Sequence, residues 1–167
     1  MGKSAKAAGA EIRPPLADNY IFKYYDAIKR IKRGEKVEGV RAAGQFIHDI
    51  FRILTEGINS GEYIFSAKKF IENYCHHSEG RADLLKLELW QKAIVSAIFG
   101  IMDPDRPDCR MFREVLLIVA RKNGKTLLAA AIMAYMAYID GEYGAKLYCL
   151  APKLDQAELC FDAFYQI

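Results

Sequence analysis

Nothing in the sequence is long and apolar enough to cross a bilayer. The longest apolar run, Leu127–Ile139, has thirteen residues, about 20 Å of helix against the ~30 Å of a hydrocarbon core. It reads as a buried core helix, and the protein as soluble and without a membrane part. Cysteine is sparse too. Cys75, Cys109, Cys149 and Cys160 form no C-x-x-C pair, and no His/Cys spacing suits zinc. Four lone thiols without a secretory signal point to a reducing, cytosolic setting. Neither sign of charge dominates: 24 Lys/Arg stand against 21 Asp/Glu, a net charge of +3. Internal repeats are absent, and 52% hydrophobic residues suffice for a buried core.

Charge is uneven along the chain. Residues 1–36 carry nine Lys/Arg against four Asp/Glu, and Lys23, Lys29, Arg30, Lys32 and Arg33 interleave with Tyr20, Phe22, Tyr24 and Tyr25. Such mixing suits a polyanion, but the spacing equally fits a helix with one packed and one solvated face. Residues 1–19, with small residues, lysines and Pro14-Pro15, read as a flexible arm. Apolar residues at Ile21, Tyr24, Tyr25, Ile28 and Ile31 predict a helix over 20–33, stopped by Gly34. A second is expected over about 40–56, with a stripe of Phe46, Ile47, Ile50, Phe51 and Leu54 and Gly57 as its end. Ser66 caps a third, with Phe70, Ile71 and Tyr74 on its stripe. After a loop at 79–83, a fourth covers 84–100 and stops at Gly100.

Residues 103–110, DPDRPDCR, read as a turn-rich connector, because two prolines and three aspartates do not sit in a helix interior. Beyond it the pattern changes. Val115–Val119 is a continuous apolar run of the kind buried on both faces of a parallel sheet. A loop follows, then an apolar helix over 126–140, a Gly141/Gly144 turn, a short strand over 146–150 and a helix from Leu154. Strand, loop, helix, strand, helix is a βαβα unit. The expected fold class is α/β, a P-loop NTPase with a parallel sheet, preceded by a helical region over 20–83. The partial ATPase domain covers 84–167, its strand–loop–helix 114–140.

The loop between that strand and that helix is Ala120-Arg121-Lys122-Asn123-Gly124-Lys125-Thr126. A phosphate-binding loop needs a glycine where backbone approaches phosphate, a lysine for the β/γ-phosphates, a Ser/Thr hydroxyl for Mg²⁺, and a helix N-terminus facing the anion. Gly124, Lys125 and Thr126 supply these, after an apolar run and at the start of a helix. The front departs from G-x-x-x-x-G-K-[ST], since Val119 stands where the first glycine belongs. Arg121 suits a γ-phosphate or its transition state, because a guanidinium clamps phosphate oxygens; Lys122 reads as pointing to solvent.

Arg121 to Thr126 resembles the deviant Walker A motif, R-x-x-G-K-[ST], of the large subunit of tailed-phage terminases. Leu89-Trp90-Gln91 with Ile98-Phe99-Gly100 resembles that family's W-Q segment, and Ala151-Pro152 with Asp155-Gln156-Ala157 its segment after the second core strand. Phe70–Tyr74 with His76 and Gly80 resembles its helical lead-in. The resemblance spans roughly residues 20–167. It implies an ATP-driven motor that packages viral DNA into procapsids, with ATP and Mg²⁺ as cofactors. Nucleotide would be held by Gln91 on the adenine edge and by Arg121, Lys122, Asn123, Gly124, Lys125 and Thr126. Arg121 and Lys125 would be catalytic, and the Thr126 hydroxyl would ligate Mg²⁺. The implied partners are double-stranded DNA, a terminase small subunit, the procapsid portal protein and further copies in a ring, in the cytoplasm of a bacterial host.

Such motors also need a strand ending in Asp-Glu to place Mg²⁺ and the attacking water, and no such run follows Lys125. The expectation is an N-terminal part of a terminase large subunit, without Walker B and nuclease residues and inactive alone. Two other readings stand beside it: part of a helicase-like DNA translocase, and a helical interaction protein with a chance Gly-Lys-Thr. His76 and His77 with Cys75 and Glu79 do not read as a metal site, because adjacent helix side chains diverge by about 100°. Asp103, Asp105 and Asp108 lack the glycine and terminal glutamate of a calcium loop.

Overall fold

The computed structural model describes residues 19–65, 86–141 and 143–166. Residues 1–18 of the expected arm at 1–19, the helix expected from Ser66 and the His76/His77 segment lie outside them. The chain divides into two compact units, one built from 1–67 and 93–112, the other from 68–92 and 113–167.

In the first unit, α1 (Tyr20–Lys32) packs against α2 (Gln45–Ser60). Asn19 caps α1, its Oδ1 accepting from the Ile21 amide at 2.9 Å. Ile21 and Ile28 are fully buried, with Tyr24 and Ala27 beside them, the i, i+3, i+7 stripe the spacing predicts. Burying each isoleucine contributes about 2 kcal/mol. The Tyr24 ring meets Phe51 of α2 edge-on, centroids 4.8 Å apart, as aromatic quadrupoles favour. The opposite face of α1 holds its cations on near neighbours: Arg30 pairs with Glu35 at 2.8 Å, Lys32 donates to Gln45 at 3.0 Å, and Lys29 sits over the Tyr25 ring.

α2 departs from its expected bounds. Residues 40–44 are not helical, and Gly57 lies inside the helix, buried. The helix ends at Gly61, whose φ of 79° supplies the left-handed cap. Gly57 is there for a different reason. A β-carbon on it would run into the Tyr63 ring, and the Tyr63 amide donates to the Gly57 carbonyl at 3.0 Å. Phe46, placed on the stripe from spacing, is exposed; Phe51 and Leu54 carry the buried face.

The only sheet among the described residues is antiparallel, ordered β1-β2-β3, with β1 Ile64–Phe65, β2 Ile101–Asp103 and β3 Arg106–Arg110. Ile64 pairs with Met102, Phe65 with Ile101, and Asp103 with Arg106. The expected connector 103–110 is therefore a hairpin. Pro107 is tolerated because β3 lies at the sheet edge, where a missing N–H breaks no ladder. Asp103 closes the turn, accepting from Arg106 at 2.7 Å and from the Asp105 amide at 3.0 Å. The bond from Arg106 draws the Asp103 carboxyl below its ordinary range.

α3 (Leu89–Gly100) starts at Leu89, since residues 86–88 are not helical; it stops at Gly100 as expected. Its first turn belongs to the second unit and the rest to the first. That second unit also holds α4 (Lys125–Tyr138) and α5 (Leu154–Gln166), which pack on each other. Leu128, Ala130, Ala131, Ala134 and Tyr135 of α4 are buried. Alanine is the best helix former, and its small side chain permits close approach. Tyr138 stacks on Phe164 with planes 3° apart, and the Cys149 and Cys160 thiols lie 3.3 and 3.9 Å from Met133 Sδ.

The two expected parallel strands are not seen among the described residues. Residues 115–119 and 146–150 carry no strand assignment; Leu116 and Ile118 are 86% exposed, and Leu150 is 93% exposed. Strand character comes from a hydrogen-bonded ladder, and among the described residues neither segment has one. The order of loop and helices is as expected; the βαβα unit and its parallel sheet are not shown among the described residues.

Candidate phosphate-binding loop

Residues 120–124 form a turn whose backbone is left-handed at two places. Gly124 has φ 65° and stands at the N-cap of α4; Lys122 also has φ 65°. Glycine enters that region freely, whereas a β-carbon makes it costly by about 1 kcal/mol or more. Gly124 is thus the residue its geometry asks for. Lys122 is the sole non-glycine at positive φ among the described residues.

α4 begins at Lys125, so the free amides of its first turn open on the loop and give this end a partial positive charge. Arg121, Lys122, Lys125 and Thr126 are exposed around it. The Lys125 side chain turns back over the loop and donates from Nζ to the Val119 carbonyl at 2.8 Å. Val119, the departure from the consensus glycine, enters this contact through its backbone, which any residue supplies. Asn123 is half-buried and donates from Nδ2 to the carbonyls of Ala120 and Arg121, 3.2 Å each.

Gln91 lies in the same unit and reaches the same loop. Its side chain is 8% exposed. Its Oε1 accepts from the Glu88 amide at 2.9 Å, which fixes which end of the carboxamide is oxygen. The Nε2 end lies 3.5 Å from the point a β-carbon of Gly124 would occupy. About thirty residues separate Gln91 from Gly124 in sequence, so their meeting is a property of the fold. Glu88 also accepts from Trp90 Nε1, tying the W-Q segment to the residue that orients Gln91.

The structure thus brings together Gln91, Asn123, Gly124 and Lys125, with Arg121, Lys122 and Thr126 on the exposed rim. The orienting amide of Glu88 and the accepting carbonyl of Val119 escape sequence reasoning because both act through backbone, which leaves no side-chain signal. The aspartates at 103, 105 and 108 form a hairpin, and no group of three metal-ligating side chains occurs among the described residues. No helix among those residues is long and apolar enough to cross a membrane.

Residues 89–167 match the family model of the terminase large subunit, ATPase domain. The match begins at the W-Q segment and includes the whole loop, and it leaves residues 20–88 uncovered. No curated protein and no solved structure matches the chain. Residues 89–167 therefore belong to the ATPase-domain family of the terminase large subunit.

Proposed function

We propose that this chain carries the ATP-binding site of a DNA-packaging motor, with phosphates held at 120–126 and adenine read by Gln91. The observation that carries the reading is the approach of Gln91 Nε2 to Gly124. A carboxamide both donates and accepts, as an adenine edge requires, and here it lies next to the glycine that opens a phosphate loop.

The residues fit the groups they would hold. Gly124 and the first turn of α4 offer amides and a positive helix end to an anion. Lys125, which in this structure donates to the Val119 carbonyl, is the donor for the β/γ-phosphates. The exposed Thr126 hydroxyl is the protein ligand for Mg²⁺, which when bound neutralises charge on the phosphates. Arg121 completes the rim as the guanidinium for charge that develops on the transferred group. Residues 115–119 and 146–150 are read as positions in a parallel sheet, a role that their exposed apolar side chains support. Coupling of hydrolysis to movement of double-stranded DNA, with a small subunit, a portal and a ring of copies as partners, follows from the family and belongs to this proposal. So do the bacterial cytoplasm of a phage or prophage host and, in a full-length protein of that family, a nuclease activity carried by residues other than these.

The test is displacement of a fluorescent ATP analogue from the purified chain by ATP and by GTP, with Mg²⁺ present. ATP should compete better than GTP. Gln91→Ala should erase that preference, and Lys125→Ala should weaken both nucleotides by about ten-fold or more, the loss expected for a charge-assisted contact. Equal competition by both nucleotides, unchanged by Gln91→Ala, would remove Gln91 from the site.

A further inference from the structure

Asn123 occupies the middle of a loop whose other polar side chains face water, yet it is half-buried and turned inward. A carboxamide NH₂ has two hydrogens. Two carbonyl acceptors, Ala120 and Arg121, lie within reach of it, both at 3.2 Å. The Asn123 NH₂ is thus directed at the loop's own backbone and not outward to a phosphate oxygen. We propose that Asn123 is a positioning residue: it braces the phosphate loop in its bound shape before nucleotide arrives, and it makes no phosphate contact itself. The inference rests on the nucleotide-binding reading of this loop.

Three features support it. Asn123 sits between two left-handed residues, Lys122 and Gly124. Lysine does not choose that conformation, and such a residue persists only where its surroundings over-determine it. The two bonds from Asn123 supply that determination, since they fix the carbonyls immediately before Lys122. Pinning those carbonyls towards the Asn123 side chain also sets the orientation of the peptide planes that follow, and with them the amides available to an anion. Finally, ordering a free loop on binding subtracts from affinity residue by residue; a loop already held avoids that loss.

The inference predicts different behaviour from a ligand and from a general stabiliser. Asn123→Ala should lower the affinity for ATP about ten-fold, the order expected for loss of two hydrogen bonds, and leave the affinity for adenosine unchanged. A general folding defect would lower both. Amide hydrogen exchange without nucleotide gives a second reading: residues 121–124 should exchange faster in Asn123→Ala, while the amides of α4 from Leu128 onward keep their protection. Equal ATP affinity in Asn123→Ala and wild type, or unaltered exchange across 121–124, would overturn the brace while leaving the nucleotide site standing. Failure of the wild-type chain to bind ATP at all would overturn the nucleotide reading and the brace with it.

Discussion

Lys125 and Val119 show how a contact can survive the loss of a consensus residue. The first glycine of a phosphate loop is replaced by valine, yet the contact made at that position is a backbone carbonyl receiving Lys125 Nζ. What the loop cannot dispense with is Gly124, where φ is 65° and the next residue starts a helix. A second residue-scale case concerns sulfur. Burial, and then the neighbouring Cys149 thiol, push the Cys160 thiol up to about 11. A thiol raised in this way is favoured in its neutral form, so its contribution to stability is complete below the ordinary thiol value near ~8.5. That contribution is lost as pH rises towards the folded value. Thiolate, not thiol, is the nucleophile. Iodoacetamide at pH 8 should therefore label the exposed Cys109 well before Cys160, and Cys160 should gain reactivity only as pH climbs past about 10. Mass-spectrometric mapping of the alkylated sites checks the order.

At the scale of elements, glycine is the residue whose meaning the sequence leaves open. Gly34, Gly61, Gly100 and Gly141 all lie at or just beyond helix ends, where a reading by stop signals puts such residues. Gly57 looks the same on paper and is not a stop. It sits within α2 so that the Tyr63 ring can lie against the helix. Gly57→Ala should destabilise the first unit by about 1–3 kcal/mol, the range for overpacking, despite alanine's better helix propensity. Chemical denaturation followed by circular dichroism measures it, and a stabilised variant would show that Tyr63 yields freely.

The same contrast explains what else was legible. α1, α4 and α5 were readable because each is defined within its own sequence, by an apolar period, a cap or a run of alanines. The loop was readable because its chemistry demands particular residues in order. The hairpin at 101–110 was hidden by its two prolines, which argue against a strand unless one knows that β3 is an edge. The strands expected at 115–119 and 146–150 are not shown for a related reason: strand structure is a property of pairs, and an apolar run cannot name its partner. The proximity of Gln91 to Gly124 was not derivable from spacing at all. The family resemblance names Gln91 only for the adenine edge; its approach to Gly124 is a finding of the fold.

For the whole molecule, these pieces fall into two units. The first unit, with α1, α2 and the hairpin, keeps most cations of α1 on its own glutamate, glutamine and tyrosine side chains. The second carries the loop, Gln91 and the helices α4 and α5; the terminase match over 89–167 takes in all of these and also residues 93–112 of the first unit. The central claim is that this second unit holds ATP through the loop. A ligand that binds only the folded state stabilises it by about 2.7 kcal/mol at a hundred times its Kd, worth roughly 5–10 °C for a chain of this size. The most direct measurement is the melting temperature of the purified chain with and without saturating ATP and Mg²⁺, for the wild type and for Lys125→Ala. A rise of several degrees in the wild type that disappears in Lys125→Ala is the predicted result. No rise in the wild type, or an equal rise in both, would contradict it.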